Sequence, residues 1–254
     1  MFSRSATCFL SQRRNFMSLL PKKVNQSWND FLSSDILRMI NSIENQLDND
    51  FSPEKHKVLR FLETNPETIK IIILGQDPYP EKGRATGRAF EVGGLETWNE
   101  PFRQVSLKNI VRLIYKAQKG IRVYDDIPKF SVISSEIKEN KFKIANPPDL
   151  FESLEKQGVL FLNTCFTVYP GKPLSHAEIW YTFTRSLLLW ISNFNPNLIW
   201  FLWGKNAQAL KPLIQNGKFY ESRHPMMCSK TYQDDFLKSN SFVDTNNIVN
   251  WTGI

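Results

Sequence analysis

Cysteine is scarce in this chain: Cys8, Cys165 and Cys228 are the only three in 254 residues. A set that is odd in number and scattered supports neither a disulfide framework nor a zinc site, and it suits a reducing compartment. Histidine is as rare, and His56, His176 and His224 share no metal-ligand spacing. No apolar run approaches the ~18 residues that a membrane-spanning helix needs. A G-x-S-x-G nucleophile elbow is missing, as is any glycine-rich loop fit for a dinucleotide or a P-loop. Repeats and low-complexity tracts are also lacking.

Charge is less informative than its total suggests. The formal net charge is +7, but Arg4, Arg13, Arg14, Lys22 and Lys23 all precede the first acid, Asp30, and leave only +2 for the rest. Bulk charge therefore does not argue for nucleic acid, and a DNA surface would have to be a local patch. Residues 1–27 read as a basic, Ser/Arg-rich extension outside the fold. Its first stretch, MFSRSATCFLSQRRNFMS, has the composition of an organellar transit peptide, and equally of a disordered tail or of an upstream extension with initiation at Met17. Residues 28–254 are expected to form one domain, since the chain is 41% hydrophobic and long enough for a full core.

Between residues 28 and 64, Trp28, Phe31, Leu32, Ile36, Leu37, Ile40, Ile43 and Leu47 recur at helical spacing, which predicts helices there. Four short apolar runs follow: IKIIILG (69–75), VLFLNT (159–164), LIWFLWG (198–204) and KFYESRH (218–224). The first three are apolar at nearly every position, as strands of a parallel sheet covered on both faces should be, and the mixed fourth reads as an edge strand. Val105, Leu107, Ile110, Val111 and Ile114 predict a helix closed by Gly120. Ser175 with Glu178 reads as a capping box opening a helix through Leu189, with His176 structural beside it. Residues 121–148 read as a charged surface excursion, a hairpin or a lid. The alternation predicts an α/β fold, a three-layer α/β/α sandwich around a mainly parallel four-stranded sheet.

Each strand runs into polar chemistry. The first leads into LGQDPYP, where Pro78 and Pro80 stiffen a turn that points Asp77 in one direction. The second leads to Asn163, the third to Gly204-Lys205-Asn206, the fourth to His224-Pro225. Ligands of open parallel α/β sheets bind beyond the carboxyl ends of the strands, so one cleft should gather these groups. No second carboxylate in these stretches pairs with Asp77, which disfavours ordinary O-glycoside hydrolysis. One carboxylate, one imidazole, one amide and aromatic rings remain. A carboxylate can stabilise a cationic sugar and orient water, an imidazole can stabilise an anionic leaving group, and an amide and a ring can read a base. That set suits cleavage of a base from a sugar.

The blocks GQDPYPEKGRATGRAFEV (75–92), LFLNTCFTV (160–168), FLWGKNAQ (201–208) and HPMMCS (224–229) resemble, in order, the motifs of the uracil-DNA glycosylases of the family-1 type; SLKNI (106–110) and EKQGVLFLN (155–163) add to the likeness. The resemblance implies excision of uracil from DNA by base flipping, leaving an abasic site. Asp77 and His224 would be catalytic, Asp77 positioning water and stabilising an oxocarbenium-like sugar, His224 bonding uracil O2. Asn163 would bind the O4 and N3 edge, Phe90 would stack on the base, Tyr79 would exclude a 5-methyl group, and Gln76 would line the pocket. Ser106, Gly204 and Lys205 would clamp phosphates. No metal or organic cofactor is implied. The partners would be uracil-containing DNA, single- or double-stranded, and a protein inhibitor on the DNA-binding face; the protein would be an intracellular monomer of cytoplasm, nucleoid, nucleus or mitochondrion.

The chain also departs from the pattern. Pro80 stands where the family has His, and Cys228 where it has the Leu that wedges into the duplex. Met226 or Met227, with Met227 favoured, is therefore expected to supply the wedge. Two rival functions remain: a non-catalytic DNA- or partner-binding homologue, and a glycosylase for another damaged base.

Overall fold

The computed structural model describes residues 19–254. Its centre is a four-stranded sheet of β1 (Ile71–Gly75), β2 (Val159–Asn163), β3 (Ile199–Trp203) and β4 (Lys218–Ser222), in the order β2-β1-β3-β4. Every neighbouring pair is parallel. In a strand successive side chains face opposite ways. Ile72, Leu74, Leu160, Leu162, Trp200 and Leu202 accordingly enter one core, and Ile71, Ile73, Val159, Phe161, Phe201 and Trp203 enter the other.

The first core is covered by α1 (Ser34–Gln46) and by a long apolar helix over Ala177–Phe194. The second is covered by α2 (Val105–Lys119), α3 (Phe130–Lys138) and α4 (Pro147–Lys156). The long helix is α5, and the short α6 (Lys205–Gln208) and α7 (Ser241–Asp244) complete the set among the described residues. This is the expected α/β/α sandwich, with β4 at an edge. Two filled cores supply the stability: truncating one of their buried Phe or Trp side chains to Ala costs about 3–5 kcal/mol.

Four local expectations need correction. The 28–64 region holds one α-helix, ended at Leu47 by the turn-forming Asp48-Asn49-Asp50, and then 3-10 turns at Lys55–Lys57 and Arg60–Glu63. The capping box does not form: α5 starts at Ala177 without a side-chain cap, and Ser175 Oγ instead accepts from the Tyr169 N–H at 2.8 Å. The 121–148 excursion is neither hairpin nor lid; it carries α3, whose Ile133 is fully buried, and Phe142 packs beside Tyr115. Finally, part of the 1–27 extension belongs to the domain, because Leu19 and Leu20 sink into the first core and the Asn25 N–H donates to the Leu62 carbonyl at 2.8 Å. The targeting-like residues 1–18 lie outside the described residues.

Candidate active site

The carboxyl ends of the strands open into a cleft of about 690 Å³, lined among others by Gln76, Asp77, Tyr79, Phe90, Asn163 and His224. Ser106, Gly204, Lys205, Met226 and Met227 also line it, so every residue given a catalytic, base-binding or DNA-binding role from the sequence falls in one cavity.

Asn163 is the last residue of β2 and lies opposite Gly75 in the register. A Cβ at Gly75 would sit 2.5 Å from Asn163 Oδ1, so only glycine lets the amide cross the end of β1 into the cleft. Asn163 is 4% exposed, and no hydrogen bond among the described residues occupies its side chain. Its amide therefore opens on the cleft, where a ligand can complete its hydrogen bonds.

Asp77 is held from two sides: Oδ1 accepts from Gln76 Nε2 at 3.1 Å and Oδ2 from the Leu174 N–H at 2.8 Å. Leu174 has a φ of 62°, rare for a branched side chain, and this conformation accompanies its backbone bond to the carboxylate. Gln76 is fixed in turn. Its carbonyl accepts from Thr164 Oγ1 and the Cys165 N–H, and its Oε1 accepts from Asn206 Nδ2.

His224 follows β4. The Met226 N–H donates to its Nδ1 at 3.2 Å, which leaves the ring proton on Nε2 in the neutral tautomer. Burial holds its pKa below the ordinary histidine value, so the neutral form is favoured. Gly204 makes room: with φ of 89°, it would place a Cβ 2.9 Å from His224 Cβ. Phe90, at φ 67°, sets its ring 6.1 Å from His224 and 5.3 Å from Trp203. Its carbonyl accepts from Tyr79 Oη at 3.4 Å, and burial raises the phenol pKa, so Tyr79 stays neutral.

At the mouth, Met226 and Met227 are 59% and 53% exposed. Cys228 turns inward: its Sγ lies 3.4 Å from the Pro225 carbonyl, it packs against the second core, and burial drives its thiol pKa up to about 12. Lys205 is exposed, without an ion pair among the described residues. Ser106 is buried at the start of α2. His176 is structural as expected, with Nδ1 2.9 Å from Thr167 Oγ1.

Sequence reasoning missed Leu174, Arg223, Trp203 and a role for Asn206. A backbone N–H from a distant loop leaves no side-chain signal, so Leu174 could not be found. Arg223 could have been, as a cation next to His224; it lines the cleft, pairs with Asp234 at 2.8 Å and stacks 3.7 Å over Tyr232. Among the described residues, no group of three or more His, Cys, Asp and Glu could hold a metal, and no helix is long and apolar enough to cross a membrane.

The family model of the uracil DNA glycosylase superfamily matches residues 61–249. The chain is 35% identical over 204 residues to a protein of Blochmanniella floridana named uracil-DNA glycosylase, covering 76% of this chain and 79% of that one. The crystal structure of the wild-type Nitratifractor salsuginis enzyme superposes with a TM-score of 0.65 at 20% identity, over 94% of this chain and 96% of that one. A mimivirus relative solved in complex with the protein UGI superposes with a TM-score of 0.57 at 24% identity, over 86% of this chain and 75% of that one. With this cleft and these likenesses, the chain belongs to the uracil DNA glycosylase superfamily.

Proposed function

We propose that the protein hydrolyses the bond between N1 of uracil and C1′ of deoxyribose in DNA, releasing the free base and leaving an abasic site. The observation that carries the reading is the free, buried amide of Asn163 in a cleft shared with a carboxylate, a neutral imidazole and Phe90. A base on Phe90 would be read by that amide. Uracil offers an acceptor at O4 and a donor at N3, which one fixed amide satisfies; cytosine reverses both and leaves the buried amide mispaired. Tyr79 borders the same space and excludes a methyl group at C5.

The chemistry follows from the neighbours. As the C1′–N1 bond breaks, its electron pair leaves with the base, and charge builds on uracil O2. The Nε2–H of His224 donates to that oxygen. The sugar is left cationic, and the fixed negative charge of Asp77 stabilises it and orients the water that adds to C1′. The water's proton leaves through the carboxylate or to solvent. Both groups are already oriented in the free protein, so little reorganisation remains at the moment of reaction. The base must first leave the stack, which costs a few kcal/mol in a duplex. Ser106, Gly204 and Lys205 would hold the flanking phosphates, and the exposed methionines would fill the gap. We further assign a monomer acting on intracellular DNA, whose DNA-binding face is also where an inhibitor protein would dock.

The test is release of free uracil from an oligonucleotide with one uracil, against thymine, cytosine and hypoxanthine controls, in EDTA. Uracil alone should be released. DNA binding without release would favour a non-catalytic homologue, and loss of activity in EDTA restored by a divalent ion would overturn the mechanism.

A further inference from the structure

A chain of hydrogen bonds runs behind the cleft, from the segment after α2, through two α2 side chains, to the loop that carries His224. Arg112 Nε donates to the Pro128 carbonyl at 2.8 Å, and Nη2 to the Ile127 carbonyl at 3.4 Å. Arg112 Nη1 donates to Asn109 Oδ1 at 2.9 Å, and Asn109 Nδ2 donates to the Pro225 carbonyl at 2.6 Å. Asn109 is 6% exposed, so water competes little for these bonds.

The order of the links matters. A guanidinium only donates. Arg112 therefore decides which end of the Asn109 amide faces it, and leaves the nitrogen for Pro225. Pro225 directly follows His224. Four residues on, the Ser229 N–H donates to buried Asp235 at 2.6 Å, so the loop is tied at both ends. Between the ties, only Met226 and Met227 stand out into solvent, and the Met226 N–H rests on the His224 ring. Asp125 and Lys230 bridge the same two segments at 3.1 Å.

We infer that Arg112 and Asn109 are positioning residues for the reaction. Through them the backbone at 127–128 buttresses the 224–229 loop, and so fixes the His224 ring opposite Asp77. The segment that looked like a spare excursion is then part of the active site's support. The inference rests on the cleft being a glycosylase site, and wild-type activity tests that separately.

Asn109→Asp keeps the size and the Arg112 pairing, but turns an acceptor toward the Pro225 carbonyl. Arg112→Met keeps the stem and removes the donors. Turnover and KM of the full chain are measured on single-stranded uracil DNA, well below each variant's Tm, beside the NMR signals of the His224 ring. Each variant should lose roughly tenfold or more in kcat with KM little changed, as expected for lost transition-state geometry. The His224 signals should shift or broaden. The double variant should be no slower than the slower single one, because the links lie in series. Arg112→Lys, which retains one donor group, should recover part of the rate and serves if a harsher variant fails to fold. Wild-type kcat and an unmoved His224 signal in variants of lowered Tm would overturn the inference, and so would wild-type kcat in Arg112→Lys together with full additivity. A wild-type protein that releases no uracil would instead reject the proposed function.

Discussion

Asp77→Asn separates the charge of this residue from its shape. The side chain keeps its size, so substrate access is unchanged. What is lost is a negative charge facing a sugar that becomes cationic. At an effective dielectric of about 20, a unit charge about 4 Å away is worth about 4 kcal/mol. At roughly 1.4 kcal/mol per factor of ten, the chemical step should slow by about 10³-fold. Mutations that remove one preorganised electrostatic contact typically cost ~3–4 kcal/mol, in the same range.

The fold should register the change in a different way. Both Asp77 oxygens accept from donors, Gln76 Nε2 and the Leu174 N–H. An amide can accept on one side only, so one donor meets an NH2 group and loses its bond. That costs about 1 kcal/mol, or about 2–4 °C in Tm for a domain of this size. Single-turnover release of uracil with enzyme in excess reads the chemical step directly, and calorimetry reads the Tm. A single-turnover rate within tenfold of wild type, with the fold intact, would refute the electrostatic role.

The other predictions address the base, the wedge, pH and the amino terminus. Asn163→Asp should bring cytosine excision, and Tyr79→Ala should admit thymine; strict uracil specificity in both would show that the pocket residues are misassigned. Met227→Ala, and to a smaller degree Met226→Ala, should slow duplex substrates at least about tenfold more than single strands, since only a duplex must be unstacked; equal losses would mean a loop that merely packs. Because burial holds the His224 pKa below its unfolded value of about 6.5, the neutral donor persists through pH 6.5, and kcat should stay level from pH 8 down to there. The same shift makes the unfolded chain bind more protons as pH falls through 6.5, so this group withdraws stability on acidification and none above that window. A rate that climbs on acidification would show that the imidazolium is the working form. A chain beginning at Met17, which keeps the buried Leu19, should match the full chain in Tm and turnover.

The parts of the fold that could be read in advance were those where one local rule dominates. Three nearly uninterrupted apolar runs mark strands covered on both faces, and a stripe ending at Gly120 marks α2, whose cap indeed takes φ 64°. What could not be read was decided by competition. The Ser175 hydroxyl accepts from the Tyr169 N–H, and the helix begins after it at Ala177 without a side-chain cap. The helices expected over 28–64 stop with the stripe at Leu47, because a cluster of Asp and Asn prefers turns. In the cleft, residue types and their places after the strands were legible. The Leu174 N–H on Asp77 and the inward turn of Cys228 were not, since both depend on where a distant segment passes.

Gln76 and Asn163 in the cleft and Asn109 behind it are three amides that the structure treats differently. Gln76 faces a carboxylate, which only accepts, so its nitrogen must point to Asp77 and its oxygen to Asn206. Asn109 faces a guanidinium, which only donates, so its oxygen must point to Arg112 and its nitrogen to Pro225. In both cases a charged neighbour removes the ambiguity of an amide, and the ordered amide then orients a working group, Asp77 or the His224 loop. Asn163 alone has no such neighbour, and Gly75 clears its way into the cleft. Its two ends are left open for the base. A ligand that matches the amide as it stands completes its open hydrogen bonds, and one that does not must leave them broken. Under the proposed function, selectivity comes from the Asn163 amide left open in the cleft, and the catalytic geometry from the two amides that charged neighbours order.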